Sequence, residues 1–278
     1  MRIGAHVPTR GGLPSAIRAA HECGADAIQV FISNPRAWAP PRISAKEADA
    51  FGEAWAQSGL GPMFVHAPYV VNLASPVPEF LDRSIDVVRR SVAAASSVGA
   101  NGYVVHAGSG GPGEPAEAFH RAVSALRAVP PQGDCDVVVE LTAGTAGSVA
   151  ATFPEAARLF DAVDDHRLKL CADTCHLFAA GYALDEPEGV AACFEELRTS
   201  GLDDRLVLIH ANDASTDGDP AGIGTNTSVR AASGWRASSR SCTVPRSRTS
   251  RLSSRRRADS RITRATSRPF AASPPTES

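Results

Sequence analysis

Six side chains with metal-binding chemistry stand out by where they fall: His66, His106, Glu140, Asp173, His176 and His210. Each closes, or directly follows, a short run of apolar and β-branched residues, such as Met63-Phe64-Val65 before His66 and Val137-Val138-Val139 before Glu140. A lone histidine at the end of such a run is usually a hydrogen-bonded structural residue, but five successive runs ending this way point to one convergent site. Imidazole and carboxylate donors suit zinc, with manganese or another borderline divalent ion as the alternative. So many donors imply more than one ion, and a carboxylate such as Glu140 can bridge two ions about 3.5–4 Å apart, a geometry suited to phosphoester hydrolysis. No Ser-His-Asp or Cys-His arrangement competes. Cys175 lies between two of the donors and is read as packing. His21, His120 and His166 fall on helices or helix ends and are read as surface residues, while His6, ending the first run, is read as a support behind the ligands.

The elements that must position these groups alternate in kind. Strand-like runs span 2–7, 27–33, 62–67, 102–108, 136–141, 168–174 and 205–212. Between them, 13–24, 44–59, 78–99, 115–129, 148–165 and 187–201 carry helix-period apolar residues, with Gly24, Gly59, Gly99 and Gly201 as stops. Strand and helix in alternation predict an α/β fold with parallel strands, a TIM (β/α)8-type barrel of about seven strands that is short of closure. In such a barrel the active site forms at the C-terminal strand ends, where the six donors lie. An open doubly wound sheet is the alternative, but no glycine-rich phosphate fingerprint follows the first run. With 278 residues, 43% of them apolar, the chain can bury one large core. No apolar run approaches the roughly 18 residues of a membrane span, so a cytoplasmic protein is expected. The six cysteines have no paired C-x-x-C spacing and are read as reduced, mostly buried thiols. A formal charge of −2 argues against a nonspecific nucleic-acid coat without excluding a local basic groove.

After about residue 213 the text changes. Residues 221–278 are dominated by Arg, Ser, Ala, Thr and Pro, include Arg255-Arg256-Arg257, and predict a disordered tail. The expected organisation is therefore a barrel domain over 1–213 and an Arg/Ser-rich tail over 214–278.

From residue 1 to about 213 the chain resembles the endonuclease IV (deoxyribonuclease IV) family of apurinic/apyrimidinic endonucleases. The landmarks that carry the resemblance occur in order: Ile3-Gly4-Ala5-His6-Val7 with Gly11-Gly12, Phe31-Ile32-Ser33-Asn34-Pro35-Arg36-Ala37-Trp38, His66-Ala67-Pro68-Tyr69 with Asn72-Leu73-Ala74-Ser75, His106-Ala107-Gly108-Ser109, Glu140-Leu141-Thr142-Ala143-Gly144, Asp173-Thr174-Cys175-His176 and His210-Ala211-Asn212-Asp213. The resemblance implies a monomeric base-excision-repair enzyme with a three-zinc cluster that cuts the phosphodiester 5′ to an abasic site in double-stranded DNA. It implies that His66 and His106 hold one zinc, that Glu140 bridges to a second held by Asp173 and His210, and that His176 belongs to a third. Glu140 would also be the catalytic group that orients the attacking hydroxide. Arg36, Tyr69 and Val70 match loop positions that enter the DNA base stack.

The family pattern then requires an Asp-x-His pair and a Glu in a Val-Glu-Thr-Pro-like eighth strand, and neither is present. Reading the third base of each codon with the first two of the next permits Arg-Asp-Glu-His-Glu across Ile223 to Ser228 and Val-Val-Glu-Thr-Pro-Gly-Gly across Leu252 to Asp259. Both missing motifs in one frame predict a frameshift between about residues 213 and 223. Two other readings predict different behaviour. A metal-dependent sugar isomerase or epimerase of the xylose isomerase-like barrel superfamily would act on ketoses, and a non-catalytic DNA-binding remnant would bind with strong salt dependence and cut nothing.

Overall fold

Strands and helices alternate because the sequence supplies a start and a stop to each unit. The computed structural model describes residues 1–212 and 227–231, all within one compact unit, Met1–Arg236. The chain runs β1 (Arg2–His6), α1 (Pro14–Cys23), β2 (Ala27–Val30), α2 (Ala45–Gln57), β3 (Met63–His66), α3 (Pro78–Ser97), β4 (Gly102–His106), α4 (Pro115–Arg127), β5 (Asp136–Glu140), α5 (Phe153–Val163), β6 (Leu168–Asp173), α6 (Thr174–Ala179), α7 (Pro187–Thr199), β7 (Leu206–Asn212) and β8 (Thr227–Ala231). Proline opens α1, α3, α4 and α7, where its missing N–H costs nothing. Ser44 with Glu47 and Thr152 with Glu155 form capping boxes on α2 and α5, each cap worth about 1 kcal/mol. Gly24 ends α1 in the left-handed region at φ 69°.

The strands β1 to β7 are parallel neighbours in sequence order, as the alternation predicts. Where the sequence predicts an open seam, Thr227–Ala231 pairs antiparallel with both β1 and β7 and closes the ring. Open edges on β1 and β7 would leave their N–H and C=O groups unpaired, and a strand of either direction satisfies them. The rest of the tail, with the positions where the alternative reading frame supplies its motifs, otherwise lies outside the described residues.

Side-chain alternation builds the barrel interior in layers. Ala27, Phe64, Val104, Val138, Cys171 and Leu208 form one buried cluster, one residue from each of β2 to β7. Two residues further along each strand stand Gln29, His66, His106, Glu140, Asp173 and His210. The same pleat that packs the apolar floor therefore raises a polar layer directly above it, at the C-terminal ends of the strands. The helices cover the outside through Ala16, Ala20, Phe51, Val87, Val88, Ala122, Leu126 and Leu159. No described helix is long and apolar enough to cross a membrane.

Candidate metal centre

Register decides which donors meet. His106 pairs directly with Glu140 across β4 and β5, and Asp173 with His210 across β6 and β7. His176 departs from expectation: β6 ends at Asp173, and His176 sits in the first turn of the short helix α6. The cause is Asp173 itself, whose Oδ1 accepts from the backbone N–H groups of Cys175 at 2.8 Å and His176 at 3.1 Å and so caps the helix. Its Oδ2 stays with the site, 3.7 Å from His210 Nδ1, and accepts from Asn212 Nδ2.

Glu140 is the hub. It is 2% exposed, and its two oxygens face different imidazoles. Oε2 lies 3.0 Å from His66 Nε2 and 3.3 Å from His106 Nε2; Oε1 lies 3.0 Å from His210 Nδ1 and 3.4 Å from His176 Nδ1. A carboxylate that divides its oxygens between two sets of donors has the form of a bridge between cations. Three groupings place ligand atoms within 4.8 Å of one another: His66, His106 and Glu140; Glu140, Asp173 and His176; and Glu140, Cys171 and His210. Cys171 is a departure from the expected ligand set, since its thiol rises from the floor layer to meet Glu140 and His210.

The imidazoles are oriented from behind. His66 Nδ1 donates to the Ala67 carbonyl at 2.7 Å and His176 Nδ1 to the Leu141 carbonyl at 2.9 Å, because a carbonyl can only accept. His210 Nε2 meets Gln29 Oε1 at 2.9 Å, and Gln29 Nε2 meets His6 Nδ1 at 3.3 Å. His106 Nε2 is buried with no hydrogen-bond partner. A buried, unpartnered imidazole nitrogen beside a buried carboxylate, with three further imidazoles and a second carboxylate around it, fits a borderline divalent cation.

Electrostatics agree with that donor set. Burial opposes the Glu140 anion, but the His210 and His106 imidazoles, and the close approach of His106 at 3.3 Å and His176 at 3.4 Å, hold its carboxyl well below the usual range. Burial likewise opposes charge on His210, yet Cys171, Glu140 and Asp173 together push it well above the ordinary imidazole value, and His176 is raised by Glu140 and Asp173 against its own burial. His6 goes the other way: burial first, then His66 and His210, lower it to about 3, so it is a neutral imidazole.

The expected DNA-contact residues line the rim. Tyr69 is 64% exposed, with its ring 5.8 Å from that of His66 and 5.4 Å from Phe31. Its backbone N–H donates to the Pro35 carbonyl at 2.8 Å, tying its loop to the one that exposes Arg36. Val70 is half-buried beside it. His21, His120 and His166 are exposed and remote from the centre, as expected. Gln29, Cys171 and Asn212 are the site residues that sequence reasoning passes over. The signal that could find them is the two-residue offset from the floor of each strand, which places Gln29 above Ala27 and marks Cys171 as floor below Asp173.

Comparison with known proteins agrees with this architecture. The family model described as "Xylose isomerase-like TIM barrel" matches residues 17–232. A probable endonuclease 4 of Streptomyces coelicolor is 38% identical over 219 residues, 76% of this chain and 74% of the relative. The crystal structure of endonuclease IV from Thermus thermophilus superposes with a TM-score of 0.67 at 32% identity, covering 77% of each chain. A D-tagatose 3-epimerase-like protein superposes with a TM-score of 0.59 over 77% of each chain; at 18% identity it shares the fold alone.

Proposed function

This chain belongs to the endonuclease IV family of xylose isomerase-like TIM barrels, and from that premise we propose that it is a zinc-dependent endonuclease of base excision repair that hydrolyses the phosphodiester 5′ to abasic sites in double-stranded DNA. The observation that carries the reading is one buried carboxylate, Glu140, at hydrogen-bonding or near-contact distance from four imidazoles in the barrel mouth.

His66, His106 and Glu140 would hold one ion, Glu140 with Asp173 and His210 a second, and His176 would contribute to a third. Bound zinc would lower the pKa of water and offset the charge of the phosphate. Glu140, kept ionised by its neighbours, accepts a proton-bearing neighbour without giving one up, and so orients an attacking water by accepting its hydrogen bond. The carbonyls of Ala67 and Leu141 fix the rings of His66 and His176 before substrate arrives. Tyr69 and Arg36 are exposed, and in this reading Tyr69 would offer an aromatic surface against the gap left by a missing base and Arg36 a cation for the flanking phosphate. A monomer suffices, because every residue in this account comes from one chain.

The test is incision of a duplex oligonucleotide carrying one abasic site, by the zinc-loaded chain beside a version with the alternative-frame C-terminus restored. Chelator-sensitive cutting on the 5′ side of the lesion, strongest in the restored version and absent on undamaged duplex, is the expected result. Ketose epimerisation without incision by either version would replace this reading with the sugar-isomerase one. Salt-sensitive binding without incision by either would mark a DNA-binding remnant.

A further inference from the structure

The polar layer contains one uncharged amide, and it joins two histidines that the reaction reading treats separately. Gln29 is 1% exposed, on β2, with its Oε1 on His210 Nε2 at 2.9 Å and its Nε2 on His6 Nδ1 at 3.3 Å. We infer that Gln29 is a positioning residue that sets the proton positions of both rings, so that His210 offers only Nδ1 to a cation and His6 keeps its ring proton on Nε2.

The argument is one of donor and acceptor types. The amide oxygen can only accept, so His210 Nε2 must carry a proton, and when the ring gives up its second proton to serve as a ligand the lone pair is freed at Nδ1, the atom 3.0 Å from Glu140 Oε1. The amide nitrogen can only donate, so His6 Nδ1 must be the lone pair and the ring proton sits on Nε2. That Nε2 is buried and has no hydrogen-bond partner, in a ring 6.4 Å from that of His66. The reverse amide orientation would force the His210 proton onto Nδ1 and remove it from any ligand set. Backbone carbonyls do the equivalent service for His66 and His176, and no substitution removes them. Gln29 is an orienting group that mutation can reach. It holds rings from strands at opposite ends of the sequence, since His6 pairs with it directly in the β1–β2 register while His210 lies 181 residues away. Groups that orient metal-binding histidines in this way typically contribute about 10- to 100-fold to metal affinity.

This inference rests on the reading of His210 as a metal ligand, and the experiment separates the two. Zinc affinity of the full chain would be measured by competition with a chromophoric chelator for the parent, Gln29→Met, Gln29→Glu and His210→Ala. Long-range ¹⁵N–¹H spectra would report the ring protonation of His6 and His210 in the zinc-loaded forms. Gln29→Met is expected to weaken zinc binding about 10- to 100-fold, and Gln29→Glu, which keeps an acceptor for His210, to stay close to the parent. Gln29→Glu removes the donor to His6, so the His6 proton is expected to move from Nε2 to Nδ1 while His210 keeps its own on Nε2; a merely space-filling role would move neither. Unchanged His6 protonation in Gln29→Glu overturns the inference, even if Gln29→Met fails to fold. So does parent-like zinc affinity in Gln29→Met when His210→Ala binds weakly. Equal zinc binding by the parent and His210→Ala instead overturns the ligand assignment of His210.

Discussion

Replacing Glu140 by Gln keeps the size and shape of the side chain and removes its charge, and two magnitudes follow from the geometry. The first concerns the metal-free chain. Glu140 faces His66, His106, His210 and His176 at 3.0, 3.3, 3.0 and 3.4 Å, all within a centre where it is itself 2% exposed. Removing one partner from a buried charged set costs about 3–5 kcal/mol. The lower end applies here, because the Gln amide oxygen still accepts one hydrogen bond and His210 can shed its proton once the anion is gone. At about 2–4 °C per kcal/mol, a loss of about 3 kcal/mol lowers Tm by about 6–12 °C. The second magnitude concerns metal. Glu140 belongs to all three candidate ligand groupings, whereas His66 belongs to one. Glu140→Gln is therefore expected to weaken both ions that it would bridge, by more than the roughly 100-fold ceiling for residues that act behind a ligand, and His66→Ala to spare the ions that do not touch it. Thermal melts of chelator-treated protein, with metal content after dialysis by mass spectrometry, measure both. A Glu140→Gln protein that melts within about 2 °C of the parent, or that retains as much metal as His66→Ala, would refute the bridging role.

Three further outcomes are expected. In the metal-free chain, His176 and His210 are raised above 6.5 and contribute stability that is lost as pH climbs through their folded values, while His6, lowered to about 3, contributes stability that is lost as pH falls below 6.5; the depressed Glu140 carboxyl adds loss only under 4.5. Melts of chelator-treated protein across pH are thus expected to show the centre's contribution peaking near 6.5, with the gain from added zinc growing on the alkaline side; a stabilisation by zinc that shrinks as pH rises would contradict this. Gly108→Ala puts a Cβ 2.1 Å from Asn72 Oδ1 at a φ of +97°, against the atom that accepts from Ala74 N and Ser109 N, and is expected to cost about 1–3 kcal/mol, read as a lower Tm. Tyr69→Ala is expected to weaken binding to an abasic duplex by about 1–3 kcal/mol, and Arg36→Ala to reduce the salt dependence of binding by about one phosphate contact, both with unchanged zinc content in titrations with fluorescent oligonucleotides.

How much of this centre is legible in the sequence depends on whether a residue's role is set by its own strand or by its neighbours. The candidate ligands on β3, β4, β5 and β7 are legible because each directly follows an apolar run, and a position at or near the C-terminal end of a parallel strand already fixes a place in the barrel mouth. Gln29 is not, because Ala27, Ile28, Gln29 and Val30 are all buried. A polar residue inside such a run reads as a solvent-facing position of an alternating strand, and only the barrel's closure brings His210 to its amide. His176 is misplaced onto a strand end because the run through Leu170 and Cys171 hides the break that Asp173 makes by capping α6, although Asp followed by Thr-Cys-His is itself a helix-start signal. The closing strand escapes for the opposite reason: Thr227–Ala231 has no apolar period to announce it, and its place is fixed by backbone pairing with β1 and β7. That asymmetry bears on how the departure after residue 213 acts. The contacts that assemble Glu140 with His66, His106, His176 and His210 come from the parallel register of β3 to β7 and the cap of α6, and none of them passes through β8. The landmarks missing from the sequence therefore remove donors from an assembled scaffold, and restoring them should raise activity and metal count without rebuilding the hub around Glu140.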